Sequence, residues 1–176
     1  MQIISQSAHT LQLSEFRDHC RIPWTDDDPA LQRSLDGAVN LWETATGWWL
    51  RQTRIRLDAY AGMIIPGGPV PTLVEVYEQI DSVDETDVSA SWYLRPRYGS
   101  YELTTKRAAN NRYNPSKQYR ADVQFAGSTT NAVKLGVFDW GNLLFREREG
   151  FITGTISSKM PMTLQSIVQS YQRAGI

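Results

Sequence analysis

The run Asp26-Asp27-Asp28-Pro29-Ala30-Leu31-Gln32-Arg33-Ser34-Leu35-Asp36-Gly37-Ala38-Val39-Asn40-Leu41-Trp42-Glu43-Thr44-Ala45-Thr46-Gly47 reads as a long amphipathic helix with both ends marked. Leu31, Leu35, Ala38, Trp42 and Ala45 step by four, three, four and three, so they line one face of a 3.6-residue turn, and Val39 and Leu41 widen the stripe. The aspartates form an acidic cap ahead of Pro29 at the first helical position, where they complement the positive end of the helix dipole. Gly47 supplies the stop. Such a stripe needs a partner, and the helical period returns only after Ser128, with Val133, Val137, Trp140 and Leu144 spaced four, three and four. This second long helix is predicted over 130–150, with Trp42 and Trp140 in the core between the two. Its glycines Gly136 and Gly141 each cost roughly 1 kcal/mol against alanine and mark close packing or a kink.

Ahead of the first long helix, Leu13 to Cys20 predicts one or two helical turns, with Ser14 as the cap and Pro23 beyond the end. Between the long helices the period falls to two. Arg51 to Tyr60 and Leu73 to Ile80 alternate in character and predict strands, separated by the turn Pro66-Gly67-Gly68-Pro69. Trp92-Tyr93-Leu94 and Tyr101 to Thr104 flank Pro96 and Tyr98-Gly99-Ser100, which predicts a hairpin with its proline at an edge or in the loop. Tyr119 to Phe125 is the last strand. After Phe151 a Thr/Ser/Gly stretch leads through Pro161 to a short amphipathic segment with Leu164, Ile167, Val168 and Tyr171.

These elements predict an α+β fold: a small helical bundle, an inserted mostly antiparallel β region and a C-terminal docking arm. Residues 1–150 form one domain, with helices at 14–47 and 130–150 and the β insertion at about 50–127; residues 151–176 form the arm with its short helix. A length of 176 residues suits one domain of ordinary size. The formal net charge of -1 gives no global pull toward nucleic acid. The single Cys20 suits a reducing compartment, and the first residues lack the pattern of a secretory leader. No stretch approaches the ~20 apolar residues that span a bilayer, so no membrane partner is expected.

Chemistry-bearing constellations are missing from the sequence. His9 and His19 are the two imidazoles. Only the His19-Cys20 pair sets one beside another soft ligand, and adjacent helical side chains point apart. The triple aspartate has no oxygen-ligand spacing after it. The glycine turn lacks the Gly-Lys-Ser/Thr ending of a phosphate loop. No catalytic residue, metal ligand or cofactor site is therefore nominated, and the chain is not expected to be an enzyme. Charge is segregated instead: Glu75, Glu78, Asp81, Asp84, Glu85 and Asp87 form an acidic run, and Arg95, Arg97, Lys106, Arg107, Arg112, Lys117 and Arg120 a basic one. Arg95, Arg97, Arg107 and Arg112 are the candidates for contact with a neighbouring subunit or with DNA in a channel.

Read in order, Leu13-Ser14-Glu15-Phe16, Asp27-Asp28-Pro29-Ala30-Leu31, Ala38 to Gly47, Leu50-Arg51-Gln52-Thr53, Ile65 to Val70, Phe125-Ala126-Gly127, Phe145 to Glu149 and Tyr171-Gln172-Arg173 resemble the tailed-phage head-tail connector (adaptor, or head completion) family. The chain departs from the pattern at Thr130, where many members have proline, and at Gly136 and Gly141. The resemblance implies a structural virion protein at the head-tail junction, assembled in the host cytoplasm. It implies a homo-oligomeric, dodecameric ring that docks on the portal protein, extends the channel for packaged DNA without sequence preference, and offers a platform to the next neck or tail protein. It further implies that the C-terminal arm meets the portal, with Leu164, Ile167, Val168 and Tyr171 as the facing stripe. The alternative reading is a DNA-binding accessory protein that uses the basic β loops.

Overall fold

The computed structural model describes residues 1–65, 68–79, 85–97, 100–106, 117–147 and 162–171, without the side chains of 162–164. In chain order its elements are β1 (Gln2–Gln6), α1 (Leu13–Cys20), α2 (Asp28–Thr46), β2 (Thr53–Ala59), β3 (Met63–Ile65), β4 (Pro71–Gln79), β5 (Glu85–Asp87), a short 3-10 turn (Ser89–Ser91), β6 (Trp92–Arg97), β7 (Ser100–Thr105), β8 (Gln118–Phe125), α3 (Asn131–Arg146) and α4 (Met162–Tyr171). The fold is α+β. It divides into two compact units, one built from His9–Leu50 and the chain from Ser128, the other from Met1–Ala8 and Arg51–Gly127.

In the helical unit the stripe of α2 is buried: Leu31, Leu35, Ala38, Val39 and Trp42 join Phe16 and Cys20 of α1, Val133, Val137, Phe138 and Trp140 of α3, and Val168 of α4 in one core. Gly47 closes α2 in the left-handed region at φ 66° and returns its N–H to the Glu43 carbonyl, a position where a side chain is strained. The aspartates at the other end do different work from the one expected. Asp27 occupies the capping position, where its carbonyl accepts from the Ala30 and Leu31 N–H groups at 2.9 Å but its side chain bonds no helix N–H. Its Oδ2 instead accepts from the Trp24 indole at 3.3 Å, and Asp28 takes a two-bond clasp from Arg17 at 2.9 and 2.6 Å. Ser14 is likewise inside the first turn of α1, because that helix starts two residues earlier than a Ser14 cap requires, with Gln12 in the capping position. Thr130 does cap α3, accepting from the Val133 N–H.

Gly136 and Gly141 interrupt nothing. They are close-packing positions: a Cβ on Gly136 would stand 2.7 Å from Trp42 Cζ3, and one on Gly141 2.8 Å from Phe16 Cζ. Cys20 is buried in this core, and burial, partly offset by Arg146, pushes its thiol up to about 11, so it stays a neutral packing group at pH 7. The two crossings into the β unit are tied together on the helical side, where the Ser128 N–H donates to the Trp49 carbonyl at 3.2 Å and the Trp48 indole to the Ser128 carbonyl at 2.9 Å.

Among the described residues the strands of the β unit pair antiparallel, in a five-stranded sheet of order β1-β2-β8-β4-β5 and a three-stranded sheet of order β3-β7-β6. Along β2 and β8, Thr53, Ile55, Leu57 and Ala59 pair with Phe125, Val123, Ala121 and Tyr119, and all are buried. This is the inward face that a period of two produces. Ring contact between Trp92 and Tyr119, with centroids 5.3 Å apart, joins the two sheets. Pro96 lies on β6 at an edge of the smaller sheet, where its missing N–H breaks no ladder. β4 carries an irregularity that plain alternation does not anticipate. Leu73 pairs with Val123 while Glu75 pairs with Asp122, so Val74 is a one-residue bulge. Without it Leu73 and Glu75 would share a face; with it Leu73 joins the inward set and Glu75 and Tyr77 the outward one.

Candidate functional site

Two charged sheet faces and the outer helix α4 hold the residues nominated from the sequence. On the five-stranded sheet the outward face gathers Arg54 and Arg56 of β2, Asp122 and Arg120 of β8, and Glu75 and Tyr77 of β4. The Asp122 side chain is completely covered, and it accepts from Arg54 at 3.2 and 2.8 Å and from Arg56 at 2.7 and 3.1 Å. Arg54 also donates to Glu75 at 2.6 Å, and the Arg56 guanidinium lies over the Tyr77 ring. Burial pushes the Asp122 carboxyl up, but the hydrogen bonds and charges of Arg56 and Arg54 outweigh it and hold the group below the usual aspartate range. On the same face Arg120 pairs with Glu85 at 3.0 Å, while Lys117 and Glu78 pair on the opposite parity, that of Tyr119. The acidic and basic runs of the sequence thus meet within one chain, strand against strand.

The three-stranded sheet behaves differently. Register puts Tyr93, Arg95 and Arg97 of β6, Glu102 and Thr104 of β7, and Ile64 of β3 on one face, and sends Trp92, Leu103 and Ile65 to the buried side. Arg95 and Arg97 both reach Glu102 Oε2, at 2.8 and 2.9 Å. The hydrogen bond from Arg95, with both arginine charges behind it, holds the Glu102 carboxyl below its ordinary value. Two guanidiniums on one carboxylate leave a positive charge over. Beside them Ile64 and Tyr93 are 41% and 39% exposed. Of the four arginines nominated for contact, the structure brings Arg95 and Arg97 together; Arg107 and Arg112 lie outside the described residues, as do Asp81, Asp84 and Tyr98.

The stripe of α4 turns inward. Val168 is buried, Ile167 packs against the same core, and the Tyr171 ring lies 5.6 Å from Trp42 and 5.3 Å from Trp48. The Leu164 side chain is outside the described set. An apolar stripe at helical spacing has a core to enter here, formed by α2 and α3, so Ile167, Val168 and Tyr171 are not a free portal-facing surface. Gln165 and Gln169 point outward in their place. Truncating Val168 to alanine is therefore expected to lower the stability of the helical unit by about 1.5 kcal/mol, read as a shift of its urea midpoint.

No metal-binding cluster occurs among the described residues. The imidazoles serve as cross-links, His9 to Asp36 at 2.8 Å and His19 to Asp139 at 2.9 Å. The Arg54–Asp122–Arg56 cluster is not legible in the sequence. Its only local signal was a pair of arginines two apart on an alternating strand, because the aspartate that unites them arrives from β8.

No protein-family model matches the chain, and no characterised protein matches it by sequence. Solved structures do match in fold. A chain in the neck of an empty gene transfer agent (GTA) particle computed with C6 symmetry superposes with a TM-score of 0.72 at 21% identity. One in the virion of the native GTA particle gives 0.74 at 20%, and one in the neck of the native particle computed with C12 symmetry gives 0.70 at 20%. Each covers 100% of this chain and 97% of the other. From end to end, the chain has the fold of a chain found in the neck of gene transfer agent particles, consistent with its resemblance to head-tail connectors.

Proposed function

We propose that the chain is a structural virion protein of a phage-like neck: a head-tail connector (adaptor) subunit that forms a ring on the portal protein, extends the channel for packaged DNA and carries the next neck or tail protein. The observation behind this reading is the two-way coverage of the GTA neck chains, 100% of this chain and 97% of the other, at TM-scores of 0.72 and 0.70. A subunit count of twelve belongs to the same reading.

Within it, Arg95 and Arg97 serve contact with a neighbouring copy. Portal docking falls to the chain beyond α3 through the outward side of α4, at Gln165 and Gln169, since the apolar side is occupied. Negative-stain images of the full chain mixed with its portal test the reading. Rings seated on one end of the portal are the expected result; bare portals at saturating protein would refute it.

A further inference from the structure

The open face of the three-stranded sheet combines two features that are usually kept apart: exposed apolar groups, Ile64 and Tyr93, and the surplus positive charge of Arg95 and Arg97 over Glu102. A phosphate backbone would use the cations and ignore the apolar pair. A protein surface that carries an aromatic group beside an acid would use both. The chain has such a surface in its helical unit. Between α1 and α2, Arg21 turns the chain through the left-handed region at φ 58°, Ile22 packs on the core, and Pro23, Trp24, Thr25 and Asp26 project as a tip. Trp24 is 54% exposed, although a tryptophan is costly to leave in water. Its indole is fixed by the bond to Asp27, and the Asp28 N–H closes the turn on the Thr25 carbonyl at 3.0 Å. The tip is pre-organised, aromatic and acidic.

We propose that this tip docks on the open sheet face of a second copy of the chain, with Trp24 covering Ile64 and Tyr93 and Asp26 meeting Arg95 and Arg97. The contact is head-to-tail: tip and face are different surfaces, so each copy gives one and receives the other, as a closed ring requires. The inference rests on the ring reading above and deepens it by naming the groups that join neighbours. It also gives a reason for an exposed tryptophan that the core does not use, since buried aromatic anchors beside charged pairs carry most of the free energy of protein interfaces.

The test is photo-crosslinking in the full-length chain, with p-benzoylphenylalanine in place of Tyr93 and equal amounts of unlabelled and nitrogen-15-labelled copies. Crosslinked peptides joining position 93 to residues 22–26 of the other isotopic form are the expected product. Trp24→Ala and the Arg95→Glu, Arg97→Glu pair should each weaken self-association on the order of 30-fold, and Asp26→Arg should recover part of that loss in the paired variant. Because charge reversal beside Glu102 can disturb the sheet, the crosslink is read without it. Rings that form while position 93 crosslinks elsewhere overturn this inference and leave the ring reading standing. A wild-type chain that stays monomeric, alone and on portals, overturns both. Salt-dependent binding to a DNA duplex that is lost in the paired arginine variant, with self-association unchanged, overturns the proposal and assigns the face to nucleic acid.

Discussion

Replacing Asp122 by alanine is expected to cost the β unit about 3 kcal/mol, seen as a fall of about 1.5 M in its urea midpoint for a slope near 2 kcal/mol per molar. The carboxylate has no solvent contact and holds two guanidiniums through four hydrogen bonds. Removing it leaves Arg56 facing Tyr77 and Arg54 with Glu75 alone. Breaking a buried pair costs roughly 3–5 kcal/mol, and the lower end applies because Arg54 and Arg56 keep 30% and 33% of their side-chain surface in water. The pH dependence follows from the direction of the shift. The folded carboxyl is held below the ordinary aspartate value, so its contribution is complete above about pH 4 and is lost as pH falls through the depressed value. Acid titration of the β-unit signal should therefore show a steep limb below about pH 4 that flattens in Asp122→Asn. An unchanged limb would mean that the cluster does not support the fold.

The second large effect concerns the α2–α3 seam. Gly136→Ala and Gly141→Ala together are expected to destabilise the helical unit by about 3 kcal/mol, even though alanine favours a helix by roughly 1 kcal/mol at each site. The added methyls would meet Trp42 and Phe16 at 2.7 and 2.8 Å, and both rings are completely buried. Trp42 also has Tyr171 against it, so it has little room to retreat. Gly37→Ala is the internal control. Its methyl would find Leu144 Cδ1 at an ordinary 3.4 Å, and the substitution should leave stability level or raise it slightly. If all three variants melt together, packing is not what those glycines provide.

The contrast between these residues shows what the chain declares locally and what it does not. The stripe from Leu31 to Trp42 was readable because helical burial repeats every three or four residues along one segment. Gly136 and Gly141 could be recognised as packing or kink positions, but choosing between the two required the rings opposite. β1 and β5 passed unseen: five and three exposed residues at sheet edges carry no apolar alternation. Val74 was hidden for a related reason, since a bulge is a property of two strands in register. Asp122 and its arginines are brought together by β2 and β8, far apart in sequence. The stripe of α4 was seen correctly as a stripe, but periodicity says only that a face is covered, never by what.

The chain leaves the helical unit after Leu50 and re-enters it at Ser128, and Trp48, Trp49 and Ser128 clasp the doorway shut. A segment that departs and returns through the same doorway can be lengthened, shortened or exchanged while the helices keep their register. Lineages sharing this scaffold can thus carry unrelated inserts at the same doorway, and an engineer can graft a foreign hairpin there after trimming the N-terminal strand that pairs with β2.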